Sequence, residues 1–188
     1  MCIRDSAFVK LLCGEVRAEV EAAVAAVGRR PRARDLEPAT WALAMLGRSL
    51  SADAFASAVR VLRLAARRIG DFFEGYDVLL TPTLSRPPVP VGSLQLSRGE
   101  KTLVRFLSRF DAGWFLSLAG ILEPTAKKTF EFMPYTPPFN VTGQPAMSVP
   151  LHRTPEGLPV GMHFVGRWGD EATLFRLAGQ ILGSGLSK

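Results

Sequence analysis

Pro138-Phe139-Asn140-Val141-Thr142-Gly143-Gln144-Pro145-Ala146-Met147-Ser148-Val149-Pro150 is the stretch that decides the fold, with Glu156-Gly157-Leu158-Pro159-Val160-Gly161 and Val165-Gly166-Arg167 after it. It reads as strand, turn, strand, helix. Asn140 and Gly143 supply turn chemistry, Gly143 because it reaches backbone angles that a Cβ forbids. Ala146 to Val149 is a short apolar run stopped by Pro150. Leu151 to Glu156 is a polar connection, and Gly157 marks its turn. Val160 to Val165 is a second apolar run, and Asp170-Glu171 opens an amphipathic helix.

Upstream, Phe72-Phe73-Glu74-Gly75-Tyr76-Asp77-Val78-Leu79-Leu80-Thr81-Pro82-Thr83 carries another apolar run, followed by Pro87-Pro88-Val89-Pro90. The continuous apolar character of 77–80 suits a strand covered on both faces. Glu15 to Val27 places Val16, Val20, Ala23, Val24 and Val27 on one helical face, ended by Gly28. Leu36 to Leu46 is a second helix. Ser51 is placed to cap a third, with Asp53 in its first turn and a stripe of Phe55, Val59, Leu62, Ala66, Ile69 and Phe73. Helices are expected over 101–110 and 111–122. Residues 123–138 read as a loop, because Pro124, Pro134, Pro137 and Pro138 oppose regular structure. The last helix carries Leu174, Leu177, Ala178, Ile181 and Leu182. The fold class is α/β, a mixed sheet built from strands near 77–81, 146–150 and 159–165 and flanked by helices.

These blocks resemble the C-terminal part of the amidase signature family. There, an F-N-x-T-G-x-P-A-x-x-x-P block precedes a G-L-P-x-G block and a closing helix. Asp77 to Thr83 is similar to the family's D-x-L-L-T-P-T strand. Leu36-Glu37-Pro38-Ala39-Thr40-Trp41 fits members acting on linear or cyclic amides. The resemblance divides the chain into a poorly matched leader and helix (1–35) and the C-terminal part of an amidase domain (36–188). The segment Met1 to Ser6 carries no structural weight in this reading.

The resemblance implies hydrolysis of carboxamide C–N bonds through an acyl-enzyme, with a serine nucleophile, a second serine in a cis peptide bond and a lysine base. This sequence holds no Gly-Gly-Ser-Ser or Gly-Ser-Ser-Gly run, and its lysines are Lys10, Lys101, Lys127, Lys128 and Lys188. The expectation is a C-terminal portion without the catalytic residues, inactive alone and poorly stable as a half-sheet. Other readings stay open: a part like the amidase-type component of a glutamyl-tRNA(Gln) amidotransferase, or a non-catalytic basic binding module.

Among residues that could carry chemistry, Ser148 lacks a nucleophile elbow, and a sheet serine commonly bonds a nearby carbonyl. Ser184 lies close to the terminus, where order is poor. A Ser148, His163 and Asp170 set can be drawn, but no spacing requires it. By resemblance, Asn140, Thr142 and Gly143 approach the substrate side. The alternative is that Asn140 only fixes the turn by bonding its own backbone. Trp114, Phe115, Phe132 and Tyr135 are candidates for an apolar pocket wall or for core.

Composition narrows the partners. With 47% hydrophobic and 21% charged residues the chain is globular rather than disordered. The net charge of +6 could suit an acidic partner. Yet Arg29-Arg30-Pro31-Arg32-Ala33-Arg34 has no interleaved aromatics, so no nucleic-acid partner is expected. The apolar run 113–122 is too short to span a bilayer, so no membrane partner is expected either. Cys2 and Cys13 are too few for a disulfide framework, which fits a reducing, cytoplasmic location. His152 and His163 show no metal-ligand spacing and read as structural; no metal or cofactor is expected. A small-molecule amide is the expected partner in the full enzyme, with a homodimer left open.

Overall fold

The computed structural model describes residues 3–32, 35–109, 127 and 130–184. The elements in chain order are α1 (Ile3–Val27), α2 (Pro38–Ser49), α3 (Ala52–Gly75), β1 (Val78–Pro82), α4 (Arg98–Arg109), α5 (Pro137–Thr142), β2 (Ala146–Arg153), β3 (Pro159–Gly166) and α6 (Glu171–Gly183). They fall into two compact units, residues 1–61 with 91–128 and residues 62–90 with 129–188. Helix α3 supplies Ala52–Val61 to the first and Leu62–Gly75 to the second.

The first unit is helical. α1 packs along α2, and α2 meets α4. Cys13, Met45, Leu46 and Leu107 form its core, with Val9, Trp41, Ala42, Leu43 and Leu103 against them. The approach of α1 to α2 needs Gly47, where a Cβ would run into the Cys13 carbonyl. Burial in this core pushes the Cys13 thiol up to about 11, so it stays a neutral apolar filler. α1 starts at Ile3, upstream of the expected Glu15, and takes in most of the segment given no structural weight. Its face also differs from the expectation. Ala7, Cys13 and Val20 are buried, whereas Val27 is 65% exposed. Gly28 ends it with φ +73°.

The second unit is a three-stranded antiparallel sheet of order β1-β3-β2. All three expected strands are present. β2 is longer than the run that signals it, because its ladder continues past a bulge at Pro150/His152 to Arg153. Thr154 and Gly157 then close the hairpin: the Gly157 N–H donates to the Thr154 carbonyl at 2.8 Å. β1 is an edge strand among the described residues, and Leu80 is 52% exposed. Its start is covered on both faces as expected, Val78 packing into one apolar cluster and Leu79 into the other, while Leu80 stays open.

Helix α6 covers one face of this sheet. Leu174 and Ile181 join Val149 and Phe164, flanked by Val78, Met147, Leu151, Met162 and Leu177. The other face holds Phe73 of α3, Phe139 of α5 and Val165, with Ile69 and Leu79. Val165 has no exposed surface, and such burial of a valine contributes about 1.5–3 kcal/mol. Asp170 caps α6, accepting from the Thr173 N–H at 3.2 Å and the Thr173 hydroxyl at 2.6 Å.

The stretch read as a loop before Pro138 is partly helical. Residues 130–132 are helical, and Pro137 and Pro138 open α5 rather than block it. Proline suits the first helical turn, where its missing N–H has no partner to lose. The helix expected over 111–122 lies outside the described residues, as do Trp114 and Phe115.

Candidate functional site

Asn140, Thr142 and Gly143 sit on α5 and its C-terminal cap, not in a bare turn. The Gly143 N–H donates to the Phe139 carbonyl at 2.9 Å, and Gly143 takes φ +76° as the left-handed cap. Beyond it lies the Trp168 indole, whose Nε1 would stand 3.4 Å from a Cβ at Gly143. The Thr142 hydroxyl donates to Gln144 Oε1. Gln144 is buried, and the sequence reading missed it; its place between the turn and Pro145 gave no periodic signal. Asn140 is exposed, and its side chain has no hydrogen-bond partner among the described residues. Backbone closes this turn, so the alternative role of Asn140 as a lock on its own backbone is not what the structure shows.

Beneath α5, the sheet carries a polar row. Thr81 of β1 and Ser148 of β2 both pair in register with His163 of the central strand. Side chains two residues apart share a face, so Thr81, Thr83 and His163 belong with Leu79 and Val165 on the α5 side. Thr81 Oγ1 lies 3.3 Å from His163 Nδ1, and the His163 ring lies 5.6 Å from that of Phe139. Burial holds the His163 imidazole below its ordinary pKa, which keeps it neutral. One step along, Thr83 Oγ1 and Ser148 Oγ are 2.6 Å apart. Gly161 makes this pair sterically feasible: a Cβ there would lie 2.5 Å from Ser148 Oγ and 2.7 Å from Thr83 Oγ1.

Ser148 and His163 face each other across the ladder, but each member of the Ser148, His163 and Asp170 set is engaged by a different partner. Ser148 bonds the Thr83 hydroxyl rather than a carbonyl, His163 bonds Thr81, and Asp170 caps α6. The hydrogen bond from Thr173, supported by Arg176 and Arg167, holds the Asp170 carboxyl below its usual range. Ser184 is also engaged, its hydroxyl donating to the Ile181 carbonyl at 2.7 Å. His152 is exposed on β2.

Of the proposed apolar wall, Phe132 is buried and Tyr135 is at the surface. Arg86 lies over the Phe132 ring at 5.5 Å, and the Ser85 N–H donates to the Phe132 carbonyl at 3.0 Å. Phe132 therefore anchors the loop after β1. Among the described residues no cluster of three or more His, Cys, Asp or Glu side chains could hold a metal ion. No described helix is long and apolar enough to cross a membrane.

Comparison with known proteins places this geometry. The chain is 29% identical over 167 residues to the 6-aminohexanoate-cyclic-dimer hydrolase of Paenarthrobacter ureafaciens, covering 88% of this chain and 31% of that protein. It is 29% identical over 150 residues to a lipoamidase of Enterococcus faecalis, covering 79% of this chain and 20% of the relative. A solved 6-aminohexanoate cyclic dimer hydrolase superposes with a TM-score of 0.70 at 29% identity, over 94% of this chain and 34% of the other. The same hydrolase complexed with substrate gives 0.69. The chain thus spans about a third of the length of these hydrolases. The amidase family profile matches residues 6–175, and the chain belongs to the amidase family, the amidase signature enzymes that its motifs resemble.

Proposed function

We propose that this chain is the C-terminal part of an enzyme that hydrolyses the C–N bond of a small carboxamide through a serine acyl-enzyme. The observation that carries the reading is the superposition of 94% of the chain on 34% of a cyclic-dimer hydrolase. In this mechanism a serine hydroxyl attacks the amide carbonyl, and donors stabilise the oxyanion. The amine leaves with a proton, and water releases the acid. The nucleophile, the cis serine and the lysine base would lie outside this chain. Asn140, Thr142 and Gly143 would line the substrate side, where Asn140 has free donors and an acceptor to offer. The full enzyme would work in the cytoplasm on a small-molecule amide, with no nucleic-acid or membrane partner.

Two measurements test it. Joined to its upstream coding sequence, the chain should release amine from linear or cyclic amides. The 188-residue chain alone should release none above buffer, because loss of nucleophile and base costs many orders of magnitude. Release by the short chain that disappears in Ser148→Ala would overturn the assignment of chemistry to another segment.

A further inference from the structure

His163 is a buried polar side chain in the central strand, and the acyl-enzyme mechanism gives it no step. Its two neighbours are specific. On one side Nδ1 meets the Thr81 hydroxyl at 3.3 Å, which fixes the plane of the imidazole. On the other, the ring packs at 5.6 Å against Phe139, tilted by 50°. Phe139 directly precedes Asn140, and its carbonyl accepts the Gly143 N–H that closes α5. The same Phe139 is buried with Phe73 and Val165, so a shift of its ring must move the α5 backbone or open the core.

We infer that His163 is a positioning residue, whose imidazole, held between Thr81 and Phe139, sets where α5 presents Asn140, Thr142 and Gly143. This inference rests on the reading that those three residues face the substrate. A ring at this position must meet three demands: fill the space under Phe139, satisfy the Thr81 hydroxyl and carry no charge into the core. A neutral imidazole meets all three. Phenylalanine meets the first and third and leaves the half-buried Thr81 hydroxyl without its partner. Asparagine keeps a polar atom near the Nδ1 position and gives up part of the fill. The three α5 residues are read as groups that hold substrate rather than groups that break the bond, so a displaced α5 weakens capture, the loss of uniform binding that raises KM with kcat little changed.

The test uses the full-length enzyme carrying His163→Phe, Thr81→Val or His163→Asn. Two readouts are taken on folded protein, the hydrogen-exchange rate of the Gly143 amide and the steady-state constants. His163→Phe and Thr81→Val should each speed Gly143 exchange by roughly tenfold or more, as α5 opens locally. They should raise KM by about tenfold with kcat within about threefold, the pattern of lost binding rather than lost transition-state contact. His163→Asn should recover most of both effects. Unchanged Gly143 exchange in folded His163→Phe overturns the positioning role. Faster exchange with an unchanged KM overturns the substrate-facing reading of the α5 residues instead, so the two failures are distinct. A recovery by His163→Asn no better than His163→Phe also overturns the role, because the Thr81 bond would then have no part in holding α5.

Discussion

Thr83 and Ser148 touch through their hydroxyls at 2.6 Å, linking the end of β1 to β2, two strands that both pair with β3 rather than with each other. The contact crosses above Gly161, whose carbonyl also accepts the Thr83 N–H at 2.9 Å. A hydroxyl pair of this kind pins both outer strands where the ladder alone holds each of them from one side.

Gly161→Ala should therefore be costly. The added Cβ has no room between the two oxygens, and overpacking of this kind costs about 1–3 kcal/mol. In a Ser148→Ala background the same substitution should cost less, because one of the two clashing atoms is gone. A double-mutant cycle on thermal or denaturant unfolding measures the coupling. Additive costs would show that the hydroxyl pair does not set the packing at Gly161.

Gly143→Ala should destabilise by about 1–2 kcal/mol, the usual cost of a left-handed backbone for a residue with a Cβ. Its φ of +76° is the cause, since the nearest atom a Cβ would meet is at an ordinary 3.4 Å. Gly143→Asn should lose less, because asparagine tolerates this cap conformation. Equal melting temperatures for the alanine and asparagine variants would contradict a backbone origin.

Sheet and closing helix were legible because their signals are local. Strand runs bounded by Pro150, Gly157 and Pro159, and the Asp170 cap with apolar residues at helical spacing, fall within single windows of sequence. Helix α5 was not legible, since Pro137-Pro138 carries the same letters whether it breaks a helix or starts one. The edge position of β1 was hidden for a similar reason. Among candidate site residues, Asn140, Thr142 and Gly143 lie close together in one motif and could be picked from it. Thr81, Thr83, Gly161 and His163 become a unit only through the pairing of three strands, and register over a separation of some eighty residues has no local signature.

His163 should make stability depend on pH near neutrality. Its pKa in the folded chain is lowered by burial, so on acidification the unfolded chain takes up the proton first. Stability is full above the ordinary histidine range at about 6.5 and falls as pH drops through it. The loss ends once pH passes below the lowered folded value. His163→Asn removes this titration, so its unfolding midpoint should change less than wild type between about pH 7 and 5. Parallel curves for the two proteins in that window would mean that His163 protonates equally in both states.

Asn140→Ala should lower activity more than stability in the full-length enzyme. The side chain is exposed and makes no hydrogen bond among the described residues, and backbone closes the cap at Gly143. Removing it leaves no buried group unsatisfied, so the melting temperature should stay near wild type; surface changes of this kind usually stay within about 0.5 kcal/mol. A side chain that meets only substrate shows its effect in kinetics. Loss of a group that orients the amide should lower kcat/KM by roughly tenfold or more. Asn140→Asp tests the chemistry of the contact, since it keeps the shape and an acceptor but removes the two N–H donors. If the amide donates to substrate, the aspartate variant should be as impaired as the alanine; if it only accepts, aspartate should recover part of the rate. Normal kcat/KM in Asn140→Ala would remove Asn140 from the substrate side and leave α5 as a structural cover for the sheet.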